Sequence, residues 1–237
     1  MRIDPAADPT AFPANPPPDP DSPASVADHD WAAFQNIDSM TNHWDRPGWT
    51  DATRAYYWLI PFATSADLIA QAQQCQQVLA GMGFDAIDRT GLHLTLGRVG
   101  LAEDVDQQQL DRLIDLAEQN PPPAATAHAI PMAGSRGAIR YSIAPWTPVL
   151  RLHHHLDTAA RATGLLGIGP TPSLRPHVGI AYSHRKQPAG PIQAAVATLR
   201  DLWAVTVRID RAALVLQRRE AGAYRWETLH ELLLPDT

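Results

Sequence analysis

Residues 92–99 read Leu-His-Leu-Thr-Leu-Gly-Arg-Val and residues 175–182 read Arg-Pro-His-Val-Gly-Ile-Ala-Tyr. Both stretches alternate as half-buried strands do, with successive side chains on opposite faces. In the first, Leu92, Leu94 and Leu96 share one face and His93 and Thr95 the other. Three leucines mark the core face, so the histidine and threonine point to solvent or to a cleft. In the second, Val178, Ile180 and Tyr182 share a face and His177 and Gly179 the opposite one; Arg175 joins His177 if Pro176 leaves the alternation intact. Each stretch therefore offers one histidine on an open face.

The surroundings repeat. Before the first histidine come an aromatic run, Tyr56–Phe62, read as a buried strand, and a helix starting at Ser65, with Leu68, Ala72, Cys75 and Leu79 at helical spacing. A further helix follows over 106–119 and ends at Asn120 and three prolines. The second half runs through strands 124–132 and 138–143, a helix over 147–163, the His177 strand and a helix over 191–201. Strands at 203–209, 212–217 and 224–232 close the chain. Each half thus runs strand, helix, histidine-bearing strand, helix, with the two histidines 84 positions apart. This order suggests an internal duplication.

Composition sets bounds on the rest. The chain has 237 residues, 45% of them hydrophobic, and a formal net charge of −6. The first thirty residues hold eight prolines and six aspartates against Arg2, a net of −5, so the remainder is close to neutral. Residues 1–41 are expected to be a disordered Pro/Asp-rich leader, because such a segment has little apolar surface to bury. Asp30–Met40 contains a short possible helix. The folded part is expected over 42–237. Near-neutrality disfavours a protein that coats nucleic acid, while leaving room for a local phosphate pocket. No run approaches the roughly 18 apolar residues a membrane helix needs. The lone Cys75 allows no disulfide framework and reads as a buried thiol. The chain is expected to be cytoplasmic.

Here the sequence resembles a known family. His93-Leu94-Thr95-Leu96 matches the histidine-x-threonine-x signature of the 2H phosphoesterases, which include the 2′-5′ RNA ligase-like and cyclic phosphodiesterase proteins, and residues 175–182 are similar to the second signature. The stretch His43–Trp49 (HWDRPGW) resembles bacterial 2′-5′ RNA ligase-like members, and the likeness runs from about Asn42 to Leu234. It implies an α+β fold of two pseudo-symmetric lobes, with mostly antiparallel sheets flanked by helices around a central cleft. It also implies that His93 and His177 form a general acid/base pair acting on a 2′,3′-cyclic phosphate of RNA ends or small nucleotides. Imidazole serves either role near neutral pH; which histidine is acid and which is base stays open. No metal or other cofactor is implied, nor a membrane partner, and a monomer is expected.

The family's signature hydroxyls bind phosphate oxygens. Thr95 fits this and Gly179 does not, so a neighbour such as Arg175 or the Gly179 N–H would have to compensate. Arg98 and Tyr182, five residues beyond each histidine, are expected at the substrate, one for phosphate and one for a stacked base. Gly179 keeps two alternatives open: a nucleotide- or RNA-binding protein with weakened catalysis, and an enzyme of specialised metabolism using the same cleft on a non-RNA substrate. The Trp44–Trp49 turn reads as a pin for the leader, or else as a roof over the cleft. Trp58, Trp146, Trp203 and Trp226 read as core. His153-His154-His155 is not expected to bind metal, because consecutive helical residues splay about 100° apart. Gly164–Pro170 lacks the lysine of an NTP-binding loop, which disfavours an ATP-dependent ligase.

Overall fold

The computed structural model describes residues 3–166 and 168–236. Its helices are α1 (Pro23–Gln35), α2 (Ala66–Val78), α3 (Gln107–Ala117), α4 (Thr147–Ala162) and α5 (Gly190–Ala197). The strands of the first half are β1 (Ser39–Met40), β2 (Arg54–Pro61), β3 (Phe84–Ala86) and β4 (His93–Leu101). Those of the second half are β5 (Ala125–Gly134), β6 (Ala138–Ala144), β7 (His177–Ser183), β8 (Gln187–Pro188), β9 (Val205–Ile209), β10 (Arg211–Glu220) and β11 (Ala223–Leu233).

Two sheets form the body. One has the order β11-β10-β2-β4 and the other β3-β7-β6-β5-β9, and every strand pairing in them is antiparallel. The fold is the expected α+β arrangement of two lobes, and β4 and β7 carry one histidine each. The halves exchange strands at their edges: β3 pairs with β7 in the second sheet, while β10 and β11 return to complete the first. An apolar core runs through the molecule, with Trp58, Leu94, Tyr141, Leu152 and Val178 fully buried. Helix ends follow their sequence signals. Asp106 caps α3 in a capping box with Gln109, and α2 buries Leu68, Ala72 and Cys75 on one stripe. The helix expected over 191–201 is shorter, at Gly190–Ala197.

The leader does not follow its composition. Helix α1 starts earlier than the sequence suggests, is capped by Ser22 and buries Val26, Asp30 and Phe34. The Asp30 carboxyl is pushed up by burial, but nearby His29 and Arg140 and the Ser142 hydroxyl together hold it below its usual value. Asp21 accepts from the Thr147 N–H and hydroxyl at the start of α4, at 2.8 and 2.6 Å. Upstream, the Arg175 guanidinium donates to the carbonyls of Ala6, Pro13 and Ala14 at 2.7–2.9 Å, and to those of Pro172 and Leu174. The expected disorder is therefore corrected. The segment is held by hydrogen bonds that arginines of the body donate to its backbone carbonyls, which a count of its own apolar residues does not register.

Two other expectations change. Trp203 is 70% exposed rather than core, and Trp226 is half-buried with its ring edge-on to His93, the ring centres 5.1 Å apart. The 43–49 turn does not pin the leader. Trp44 donates to Asp85 of β3 at 2.8 Å, Arg219 of β10 donates to the Trp44 carbonyl at 2.7 Å, and His43, Asp45 and Arg46 face the cleft.

Candidate functional site

Between the two sheets lies a cleft of about 550 Å³, lined by His93 and Thr95 from β4 and by His177, Gly179 and Tyr182 from β7. The two histidines are held alike. His93 Nδ1 lies 2.7 Å from the Gly91 carbonyl, and His177 Nδ1 lies 2.7 Å from the Arg175 carbonyl. A carbonyl only accepts, so each Nδ1 carries the proton and each Nε2 is left with its lone pair. The same device, a carbonyl two residues upstream, thus fixes one tautomer on both strands. Burial lowers the pKa of His93, which is only 9% exposed. Burial also pushes His177 down to about 3, helped by the charge of Arg140; the His93 charge adds to this, so the rings sit close enough to sense one another.

Tyr182 owes its place to a bulge. From Ile139↔Ala181 to Arg140↔Gly179 the β6–β7 register skips Ile180. An extra residue reverses the alternation, so Tyr182 turns toward the cleft rather than sharing the face of Val178. Its ring stacks on His43 at 4.0 Å and 20°, and His43 Nε2 is 3.1 Å from the Tyr224 hydroxyl. Burial, with Arg46 and Arg219 nearby, drives His43 down to about 2, which makes this aromatic wall neutral.

Arg98 and Arg175 depart from expectation. Arg98 pairs with Tyr57 across β2–β4, is exposed and does not line the cleft; the register skips Leu96 before it and Val99 after it. Arg175 borders the cleft, but all five of its N–H groups go to carbonyls, which leaves none for a phosphate.

A buried cation that lines the cleft is one the sequence reading passed over. Arg140 lies directly opposite Gly179 in the β6–β7 ladder, lines the cleft and is 3% exposed. One hydrogen bond, 3.0 Å to the Phe12 carbonyl, and an Asp30 oxygen at 3.8 Å are its polar contacts, and its Nε has no partner among the described residues. The available signal was a lone charge in the apolar run Ala-Ile-Arg-Tyr-Ser-Ile-Ala of residues 138–144. Gln217 of β10 is a second missed residue, 5% exposed and bordering the cleft.

The histidine triplet has separate partners: His153 Nδ1 meets the Thr171 hydroxyl at 2.8 Å and His155 Nε2 meets the Ala117 carbonyl at 2.6 Å. Among the described residues no group of three His, Cys, Asp or Glu side chains is placed to hold a metal ion, and no helix is long and apolar enough to cross a membrane. Cys75 is buried, and burial raises its thiol to about 11.

The family model of the 2′-5′ RNA ligase superfamily matches residues 60–221. The chain belongs to that superfamily, the 2H phosphoesterases. Solved structures agree in fold. A phosphoesterase crystal structure matches with a TM-score of 0.58 at 16% identity, over 78% of this chain and 99% of the other. Escherichia coli LigT in its apo form gives 0.57 at 16%, over 78% and 99%. TT0787 of Thermus thermophilus gives 0.56 at 14%, over 77% and 98%. No curated protein matches the chain by sequence.

Proposed function

We propose that this 2H phosphoesterase is a metal-independent phosphodiesterase that opens a 2′,3′-cyclic phosphate, on an RNA end or a small nucleotide. The observation that carries the reading is the matched presentation of His93 and His177. They come from opposite sheets into one cleft, each with Nδ1–H tied to a carbonyl and Nε2 left basic. One Nε2 takes a proton from water as the water oxygen bonds to phosphorus. The other imidazole, protonated, gives its proton to the ribose oxygen as the P–O bond to that oxygen breaks. The products are a phosphomonoester and a free ribose hydroxyl, with one water consumed and the proton count of the pair restored.

The Thr95 hydroxyl and the Arg140 guanidinium hold the non-bridging oxygens. Arg140 stands across the ladder from Gly179, where the signature's second hydroxyl is missing, and its charge compensates for that loss. This favours turnover over the binding-only reading that Gly179 raised. LigT, of similar fold, has been crystallised with phosphate and with 3′-AMP, the chemical class proposed here.

The test is incubation with 2′,3′-cyclic nucleotides in EDTA, followed by phosphorus NMR. Turnover persists in EDTA and falls by about 10²–10⁴ in each of His93→Ala and His177→Ala, the usual contribution of a positioned acid or base. Nucleotide binding without turnover in the wild type refutes the reading.

A further inference from the structure

The N-terminal segment reaches the cleft. Ala11 and Phe12 line it beside the three arginines of the second lobe that also border it, Arg136, Arg140 and Arg175. The segment engages each of them. The Phe12 ring centre lies 5.6 Å from the guanidinium carbons of both Arg136 and Arg140, and the Phe12 carbonyl accepts from Arg140. Arg175 holds the carbonyls of Ala6, Pro13 and Ala14, and the Ala6 N–H donates to the Pro172 carbonyl at 2.9 Å.

Polynucleotide binding draws most of its affinity from cations laid along successive phosphates. Here two of the three cations on this side of the cleft, Arg140 and Arg175, are buried under an aromatic ring and peptide carbonyls, and Arg136 is left exposed at the edge of the Phe12 ring. Residues 3–30 contain no lysine or arginine, so the segment adds no cation for the further phosphates of a chain running out on this side. A single phosphate needs only Arg140, which uses one N–H on Phe12, stands 3.8 Å from Asp30 and has its Nε without a partner among the described residues. The cleft volume, about 550 Å³, falls in the roughly 300–1,000 Å³ range of sites that enclose one small ligand.

We infer that the N-terminal segment is a fixed wall of the active-site cleft, one that selects mononucleotide cyclic phosphates and excludes the ends of RNA chains. This rests on the phosphodiesterase reading above and narrows its substrate.

The experiment compares the full-length protein on adenosine 2′,3′-cyclic phosphate and on an RNA octamer ending in a 2′,3′-cyclic phosphate. The mononucleotide is favoured at least 100-fold in kcat/KM. In Phe12→Ala that ratio falls at least tenfold, whereas in Phe12→Tyr, which keeps a ring over the arginines, it stays within threefold of the wild type. An octamer turned over as efficiently as the mononucleotide by the wild type, or a ratio unmoved in Phe12→Ala, overturns the wall. Hydrogen exchange of the Ala6 amide supplies a second readout in His93→Ala. Protection kept under excess octamer supports a fixed wall, and protection lost shows a displaceable strap and overturns it. Calorimetric titration with adenosine 3′-monophosphate and with an octamer ending in a 3′-phosphate separates the two claims. Tighter mononucleotide binding without any turnover upholds the wall while the phosphodiesterase reading fails. Equal or tighter octamer binding overturns the wall whatever the turnover, and binding of neither overturns both.

Discussion

Gly179 and Arg140 face each other across one rung of the β6–β7 ladder, and the pair sets the behaviour of substitutions at either position. A Cβ on Gly179 would lie 3.3 Å from Ile87 Cδ1 and 3.7 Å from the Tyr182 hydroxyl, so a threonine enters only by shifting neighbours. Gly179→Thr is expected to lower kcat/KM several-fold, because its branched side chain intrudes on the space opposite Arg140; a tenfold gain would show that the hydroxyl is missed and that Arg140 is no substitute. Arg140→Gln loses a charged hydrogen bond worth about 1.5–3 kcal/mol, which is roughly one to two orders of magnitude in kcat/KM. The pH profile follows from the same residues. Both cleft imidazoles, His93 and His177, titrate below 6.5, and the proposed reaction needs the pair to hold a single proton. Hence kcat/KM peaks on the acid side of neutrality and falls about tenfold per unit above it, while bound phosphate shifts the kcat profile upward. A kcat/KM maximum above pH 7 in steady-state assays would contradict this. At this scale the cleft positions of His93, Thr95 and His177 were legible because alternation and motif agree, whereas Tyr182 was legible from the motif alone, since alternation put it on the opposite face and a bulge turns it back. Arg98 and Arg175 misled because their placement depends on register skips and on contacts more than a hundred positions away, which local spacing does not encode.

Elements were legible wherever a buried stripe and a stop signal coincided, as in α2, α3 and α4. Helix α1 was displaced because its signal is a cap and a few anchors rather than a stripe: Ser22 begins it, and Val26, Asp30 and Phe34 bury at spacing four against β5 and β6. Asp30, a charge, read as solvent-facing, yet it meets Ser142 at 2.6 Å. The leader also acts on another element, since Asp21 supplies a carboxylate to the positive end of α4. Asp21→Ala should therefore cost about 1 kcal/mol, typical of a lost cap, and lower Tm by roughly 2–4 °C in a chain of this size. Thermal melts of the full chain check it, and an unchanged Tm would mean that the bond carries no stability. The assignment of β3 to the second sheet and of β10 and β11 to the first is a matter of long-range pairing, so the sequence showed the duplicated order without showing the strands the halves exchange.

At the scale of the whole molecule, besides His93, whose pKa burial lowers, three histidines are held neutral by desolvation: His43, pushed down to about 2, His177 to about 3 and His153 to about 4, with burial the largest cause in each. In the unfolded chain each titrates near 6.5. Between those values the unfolded state binds more protons than the native state, so stability rises with pH in that window and is lost as pH falls. The loss begins near 6.5 and continues to the folded-state values. By pH 5 each histidine costs on the order of 2 kcal/mol, against a total stability of about 5–15 kcal/mol. His43 and His177 sense each other's charge, so their costs do not add independently. Tm is therefore expected to stay level from pH 7 to 8.5 and to drop steeply below pH 6.5, with acid unfolding under way before most carboxylates are protonated. His153 tests the assignment at a distance from the cleft, because its ring bonds the Thr171 hydroxyl and a glutamine amide can keep that contact without taking a proton. His153→Gln should flatten the dependence of unfolding free energy on pH by up to about 1.4 kcal/mol per pH unit between 4 and 6.5, measured by denaturant titrations at several pH values. Equal stability at pH 7 and pH 5 in the wild type would show that these imidazoles accept protons without unfolding the chain, and the neutral state assigned here to His177 would fall with the others.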